Sequence, residues 1–220
     1  MRKKTFAPRA IMVGLFAFFG AFLLYPIWLT VQGGFEARDG GFTLHHILTV
    51  FNDPILLDGF LNALGIAIGT TLVCLIIALP LATLAARYTF PCKGVFSALV
   101  LVPLILPPFV GAIGLHHLLG KYGAINTLLV DMGLFSEGYD FIGNGGFWAI
   151  VFIEALHLYP ILYLNATAAL ANLDPALEEA AENMGASPWQ RFRQIVMPLI
   201  RPGLFAGATI VFIWSFTELG

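Results

Sequence analysis

Five apolar runs separated by polar segments dominate this chain, and their lengths leave few folds open to it. The runs cover residues 10–31, 59–86, 95–119, 147–171 and 204–220. A bilayer core about 30 Å thick takes about 20 apolar residues in a helix rising 1.5 Å per residue. The first four runs reach that length, and the fifth is still apolar at Phe216, close to Gly220. Composition agrees, because 59% hydrophobic and 11% charged residues cannot cover a water-facing surface on a 220-residue protein. The expected fold is an all-α membrane protein of about five spans.

Charge then orients the spans. The N-terminal segment (Arg2, Lys3, Lys4, Arg9), the turn after the second run (Arg87, Lys93) and the segment 172–203 (Arg191, Arg193, Arg201) hold nine of the eleven Lys and Arg. The two other loops hold only Arg38 and Lys121. Alternate loops are therefore basic, which places the N-terminus and segment 172–203 on the cytoplasmic side of a multi-pass protein. A basic start also opens a signal peptide, but no small-residue cleavage site follows, so 10–31 reads as an uncleaved span with Tyr25 and Trp28 near the far interface. Five spans would leave Gly220 at the outer face.

Segment 172–203 (NLDPALEEAAENMGASPWQRFRQIVMPLIRPG) is a polar island in this apolar chain. Asp174 before Pro175 predicts an N-cap with proline at the first helical position. Gly185 offers the left-handed residue that closes such a helix. Ser187, Pro188 and Gln190 predict a second start with a capping box, and Pro198 and Pro202 are expected to stop it. Helix, glycine turn, helix also describes a DNA-reading motif, and a solvated linker would need no partner. Charge argues against DNA: four acids (Asp174, Glu178, Glu179, Glu182) outnumber the three arginines.

The series Glu179, Ala180, Ala181, then Gly185, then Ile195, Met197 and Pro198 resembles the EAA loop of the membrane subunits of binding-protein-dependent ABC importers. Met197 stands where leucine is usual, a change that conserves volume. The resemblance implies an importer permease domain over residues 1–220 in a bacterial inner membrane, with a coupling loop docked on an ATPase. It implies that Glu179, Ala180, Ala181, Gly185, Ala186, Ser187, Ile195 and Pro198 contact that ATPase. It also implies, as partners, an ATPase dimer, an extracytoplasmic binding protein and a second permease subunit or domain. Members of the family continue with another span, so this chain looks truncated. The stretches PLILPPFVGAIG, LGKYGAIN and SFTELG look most like ferric-iron or aminoethylphosphonate permeases, then polyamine permeases.

Chemistry-bearing residues are few. Glu154 and His157 lie three apart, on one helix face within the fourth run, and His157 is the nearest candidate partner for the acid. A carboxyl at bilayer depth costs about 2.5 to 3.5 kcal/mol, so it should face protein or water. It reads either as part of the translocation path or as glue between helices. Pro103, Pro107 and Pro108 interrupt the third run, marking it as a path-lining span or a packing kink. Gly111 and Gly114 read as close-packing positions. The pairs His45–His46 and His116–His117 are a poor basis for a metal site, since helical neighbours point about 100° apart. Cys74 and Cys92 form neither a disulfide framework nor a metal-type spacing. No phosphate-cradling G-x-x-x-x-G-K-[ST] occurs, so ATP hydrolysis belongs to a separate subunit. No catalytic residue, metal, cofactor or nucleic-acid partner is expected. A second reading stays open: a secondary transporter or channel driven by an ion gradient, with Glu154 as proton carrier.

Overall fold

The computed structural model describes residues 6–37, 40–105 and 107–217, which leaves Arg2, Lys3, Lys4, Arg38 and Gly220 outside. The protein is all-α, and the chain divides into two compact units, Met1–Phe60 and Leu61–Gly220.

In the first unit, α1 (Phe6–Phe19) and α2 (Tyr25–Phe35) are joined end to end by a π-helical turn, Gly20–Leu24. Together they make the apolar span Ile11–Phe35, of which no part is buried. Tyr25 and Trp28 are both exposed. The polar loop that follows is tied back on itself by an isolated bridge between Glu36 and Phe42 and by stacked rings of Phe35 and Phe42, 5.5 Å apart. It also holds a short helix, α3 (His45–Asn52), whose Ile47, Leu48, Val50 and Phe51 fall on one helical face.

Among the described residues four helices are long and apolar enough to cross a membrane. Three of them carry the second unit: α4 (Pro54–Arg87), α8 (Gly146–Ala171), and the run Pro188–Thr217. The third apolar run is divided. It forms α5 (Lys93–Ile105) and α6 (Pro108–Leu119), with Pro107 extended between them. Thirteen residues of α5 rise about 20 Å, short of the roughly 30 Å of hydrocarbon, so neither half crosses alone. The adjacent prolines cause the break, because a residue before proline is driven out of the helical region. In the loop beyond, α7 (Ala124–Asp131) is pinned by Asn126, 1% exposed. Its amide donates to the carbonyls of Gly120 at 2.7 Å and Tyr139 at 2.6 Å, and its oxygen accepts from the Tyr139 N–H at 3.1 Å.

The centre of the second unit is α8. Val151, Ala155, Leu158, Leu162 and Ala166 are each at most 1% exposed and recur every three or four residues, a full helical stripe. Two neighbours reach α8 through glycines. On α4, Gly65 lies against Phe147 and Gly69 against Val151. On the last helix, a Cβ at Gly203 would meet the Ala169 Cβ at 2.7 Å, and one at Gly207 would meet the Asn165 Cβ at 3.0 Å. Both pairs are four apart in sequence, so each lies along one helix face and lets the backbones approach. Contacts climb together on α4 and α8, making them parallel, and run oppositely on α8 and the last helix, making those antiparallel. The glycines expected to pack closely, Gly111 and Gly114, have no atom within 4 Å of an added Cβ. Spacing alone misled there, because three residues on a helix match a packing stripe only when a second helix lies along it.

The α8 seam predicts a sharp contrast between glycines. Gly207→Leu should destabilise the detergent-solubilised protein by about 1–3 kcal/mol through overpacking, read as a lower midpoint in thermal unfolding. Gly114→Ala, with open space around it, should leave the midpoint unchanged or raise it slightly.

Candidate functional site

The polar segment folds largely as its local chemistry dictates. Asp174 caps α9 (Pro175–Asn183), its side chain accepting from the Ala176 N–H at 3.0 Å with Pro175 at the first position. Gly185 sits at φ +85, the left-handed region that costs an L-residue about 1–2 kcal/mol and costs glycine little. Around it the Ala186 N–H bonds the Ala181 carbonyl at 3.0 Å and the Gly185 N–H bonds the Glu182 carbonyl at 2.9 Å. These two bonds make a Schellman closure, and they account physically for the spacing of Ala181, Gly185 and Ala186. Ser187 then caps α10 (Pro188–Arg191) in a complete capping box with Gln190.

Past α10 the sequence expectation needs correcting. Pro198 and Pro202 do not stop the helix: α10, a π-helical turn at Phe192–Val196 and α11 (Met197–Thr217) run on as one helix. In the π-turn the Met197 N–H reaches back to the Phe192 carbonyl. The wider turn gives room to the Pro198 ring, and Pro202 then removes only a single bond from a helix that neighbours hold. The last span therefore begins well before residue 204.

Two ion pairs brace the loop. Arg87, the final residue of α4, holds the Glu178 carboxylate with both guanidinium nitrogens, at 2.6 and 2.8 Å. Arg191 pairs with Glu182 across the Gly185 turn. Glu179 is exposed and has no hydrogen bond or ion pair among the described residues, and Ala180 beside it is exposed as well. The structure thus brings Glu179, Ala180, Ala181, Gly185, Ala186 and Ser187 together on α9 and its turn. Ile195 is half-buried in the π-turn, which touches α9, and Pro198 is exposed at the start of α11. Sequence reasoning missed two apolar residues on the same loop, Met184 at 88% exposure and Trp189 at 66%. Their signal was available: each is a large apolar side chain beside the Gly185 turn.

Deep in the unit lies a second polar group. Glu154 on α8 accepts hydrogen bonds from the Ser215 hydroxyl of α11 and, at 3.2 Å, from the Thr70 hydroxyl of α4. Both hydroxyl residues are fully buried. These two hydroxyls come from distant parts of the chain, and His157 is half-buried one turn further on. Two hydroxyl donors at a carboxyl held at bilayer depth offset part of its insertion cost. Beside it, Cys74 donates to the Ala155 carbonyl at 3.5 Å. The Tyr159 hydroxyl donates to the Val100 carbonyl of α5 at 2.9 Å, one residue from the carbonyl that Pro103 leaves without its helical partner. Pro107 is exposed at the α5–α6 break, and Pro108 opens α6 with its side chain outside the described residues. The histidine pairs have ring centroids 6.1 and 6.3 Å apart, and His46 reaches the Glu36 carbonyl at 3.3 Å.

A long-helix unit with a braced polar hairpin between its last two spans defines a membrane transport component, and comparison with known proteins places it more closely. Residues 78–219 match the family described as "Binding-protein-dependent transport system inner membrane component", and the chain belongs to that family. It is 29% identical over 205 residues to the spermidine/putrescine transport system permease protein PotB of Haemophilus influenzae, covering 90% of this chain and 71% of that one. A putative ferric transport system permease protein of the same organism is 32% identical over 177 residues, 80% of this chain and 26% of that protein. The molybdenum permease ModB, also from H. influenzae, is 32% identical over 158 residues, 72% and 66% of the two chains. Among solved structures, a bacterial alginate ABC transporter in complex with an alginate pentasaccharide-bound periplasmic protein superposes with TM-score 0.73. That match, at 20% identity over 95% of this chain and 72% of the other, shows a shared fold.

The Glu154 cluster makes a separable prediction about stability. Glu154→Ala removes the acceptor shared by the Ser215 and Thr70 hydroxyls, leaving Thr70 the Val151 carbonyl at 3.5 Å, and should lower stability by about 1–3 kcal/mol. Glu154→Gln keeps an acceptor and should lose less than half of that. Chemical unfolding in detergent micelles reads both, and equal losses would show that hydrogen bonding is not what matters there.

Proposed function

We propose that this chain is the membrane-spanning subunit of an ATP-driven importer and that segment 172–203 is the surface its ATPase grips. The observation that carries the reading is the construction of that segment. Two helix caps, a Schellman closure and two ion pairs stiffen it, yet Glu179, Met184 and Trp189 are left exposed on it. Large apolar side chains held out in a polar segment are the mark of a partner surface. The stiffness is what a lever requires, since a floppy loop would absorb movement without passing it on.

Alternating access follows from the same geometry. α9 joins α8 through three residues and reaches α11 through the Gly185 turn and α10, which runs unbroken into α11, so closure of an ATPase dimer on the loop displaces two spans together. The basic residues of alternate loops support a cytoplasmic N-terminus and a cytoplasmic segment 172–203. Cargo would be a small charged solute handed over by an extracytoplasmic binding protein, with a second permease subunit or domain completing the path. Ferric iron or an aminoethylphosphonate-like solute is favoured by the stretches PLILPPFVGAIG, LGKYGAIN and SFTELG. The names of the relatives extend the range to polyamines, sulfate and molybdenum. ATP hydrolysis is assigned to a separate subunit.

The test is purification of the complex from native membranes. An ATPase should co-purify, and uptake into proteoliposomes should need hydrolysable ATP; a chain that comes through alone and moves solute on an ion gradient would contradict the reading. Gly185→Asp should leave the amount of inserted protein unchanged and cut ATP-driven uptake by about tenfold or more, because the turn that sets the loop's shape is strained by a side chain.

A further inference from the structure

We propose that the Arg87–Glu178 ion pair is the joint through which movement of the loop reaches α4, an inference that rests on the loop being the ATPase-driven lever. α8 and α11 are covalently continuous with the loop, whereas α4 is not: Arg87 and Glu178 are 91 residues apart in sequence. Parallel packing of α4 against α8 brings the end of α4 to the start of α9. There the two Arg87 nitrogens meet the two Glu178 oxygens in a fork-to-fork pair, which fixes orientation as well as distance.

The surroundings favour a joint over a casual surface contact. Each side chain is largely covered, with 32% of Arg87 and 23% of Glu178 exposed. Arg87 lies in the last turn of α4, where unpaired carbonyls attract a cation, and Glu178 in the first turn of α9, where free N–H groups attract an anion. Apolar contact near that end of α4 comes from Ala82 and Ala85, which share a cluster with Leu170 and Val196, and from Leu79, Leu81 and Ala86 packed against it. Apolar contacts are non-directional, so the orientation of α4 against the loop is set by the charged fork. Arg87 and Glu178 are positioning residues in this scheme and touch no cargo. Lysine could not replace Arg87 fully, since it offers a point charge where a planar pair of donors is used.

The experiment compares Arg87→Glu, Glu178→Arg, the double swap and Arg87→Lys with the unaltered complex. Each is reconstituted with the ATPase that co-purifies, and hydrolysis and uptake are measured separately, using whichever of spermidine, ferric citrate, sulfate or molybdate the unaltered complex imports. Each single reversal should keep hydrolysis within about twofold and lower uptake per ATP by about tenfold, the swap should recover most of the loss, and Arg87→Lys should fall between. Normal uptake per ATP in the single reversals, or a swap no better than either single, would overturn the joint. A gentler variant guards against misfolding: a nitroxide at Asn183 of the full chain in lipid nanodiscs should become more mobile with Glu178→Gln. An unchanged spectrum there also overturns the proposal. If the unaltered complex shows no ATP-dependent uptake, the importer reading fails and the joint fails with it. Normal ATP-driven uptake with indifferent variants removes the joint alone.

Discussion

Lipid gives one apolar helix no hydrophobic reason to prefer another helix over acyl chains, so the second unit depends on close approach along α8. Gly65 and Gly69 on one side and Gly203 and Gly207 on the other bring two spans near enough for dispersion contacts and for hydrogen bonds to form. The polar cluster follows from that approach. Thr70, Glu154 and Ser215 come from three different helices, and their bonds exist only because the backbones are close. In a medium without water, those bonds in turn specify register, since sliding any helix would strand a buried hydroxyl.

The same packing sets the position of the polar loop. Because α4 and α8 run parallel, their last turns lie at one end, and the chain leaving α8 meets Arg87 at once. Caps then replace the missing helical bonds at each break, so the loop keeps a defined shape while carrying many polar groups. Rigidity at the breaks and exposure between them are separate properties, and a docking lever needs both. The π-turn at Phe192–Val196 belongs to the same design, carrying the helix past two prolines without a gap between the loop and α11.

Local chemistry was the legible part of the sequence. Asp174, Gly185, Ser187 and Gln190 act through neighbours no more than five residues away, so their roles could be read directly, and apolar length announced the spans. Long-range partners could not be read. Nothing near Glu154 in sequence points to Thr70 or Ser215, 84 and 61 residues distant. Proline was misread at 198 and 202, where a π-turn and packed neighbours carry the helix on, whereas at 107 consecutive prolines do interrupt the run. Glycine spacing pointed to Gly111 and Gly114, while the seams that matter use residues four apart facing a second helix.

The central claim is that this braced loop faces the compartment in which ATP is hydrolysed. Sidedness of Asn183 tests it most directly. With Cys74 and Cys92 replaced, a cysteine at position 183 should react with a membrane-impermeant maleimide in inside-out vesicles and stay unreacted in intact right-side-out vesicles. Labelling in the right-side-out preparation would put the loop on the wrong face of the membrane and contradict the account.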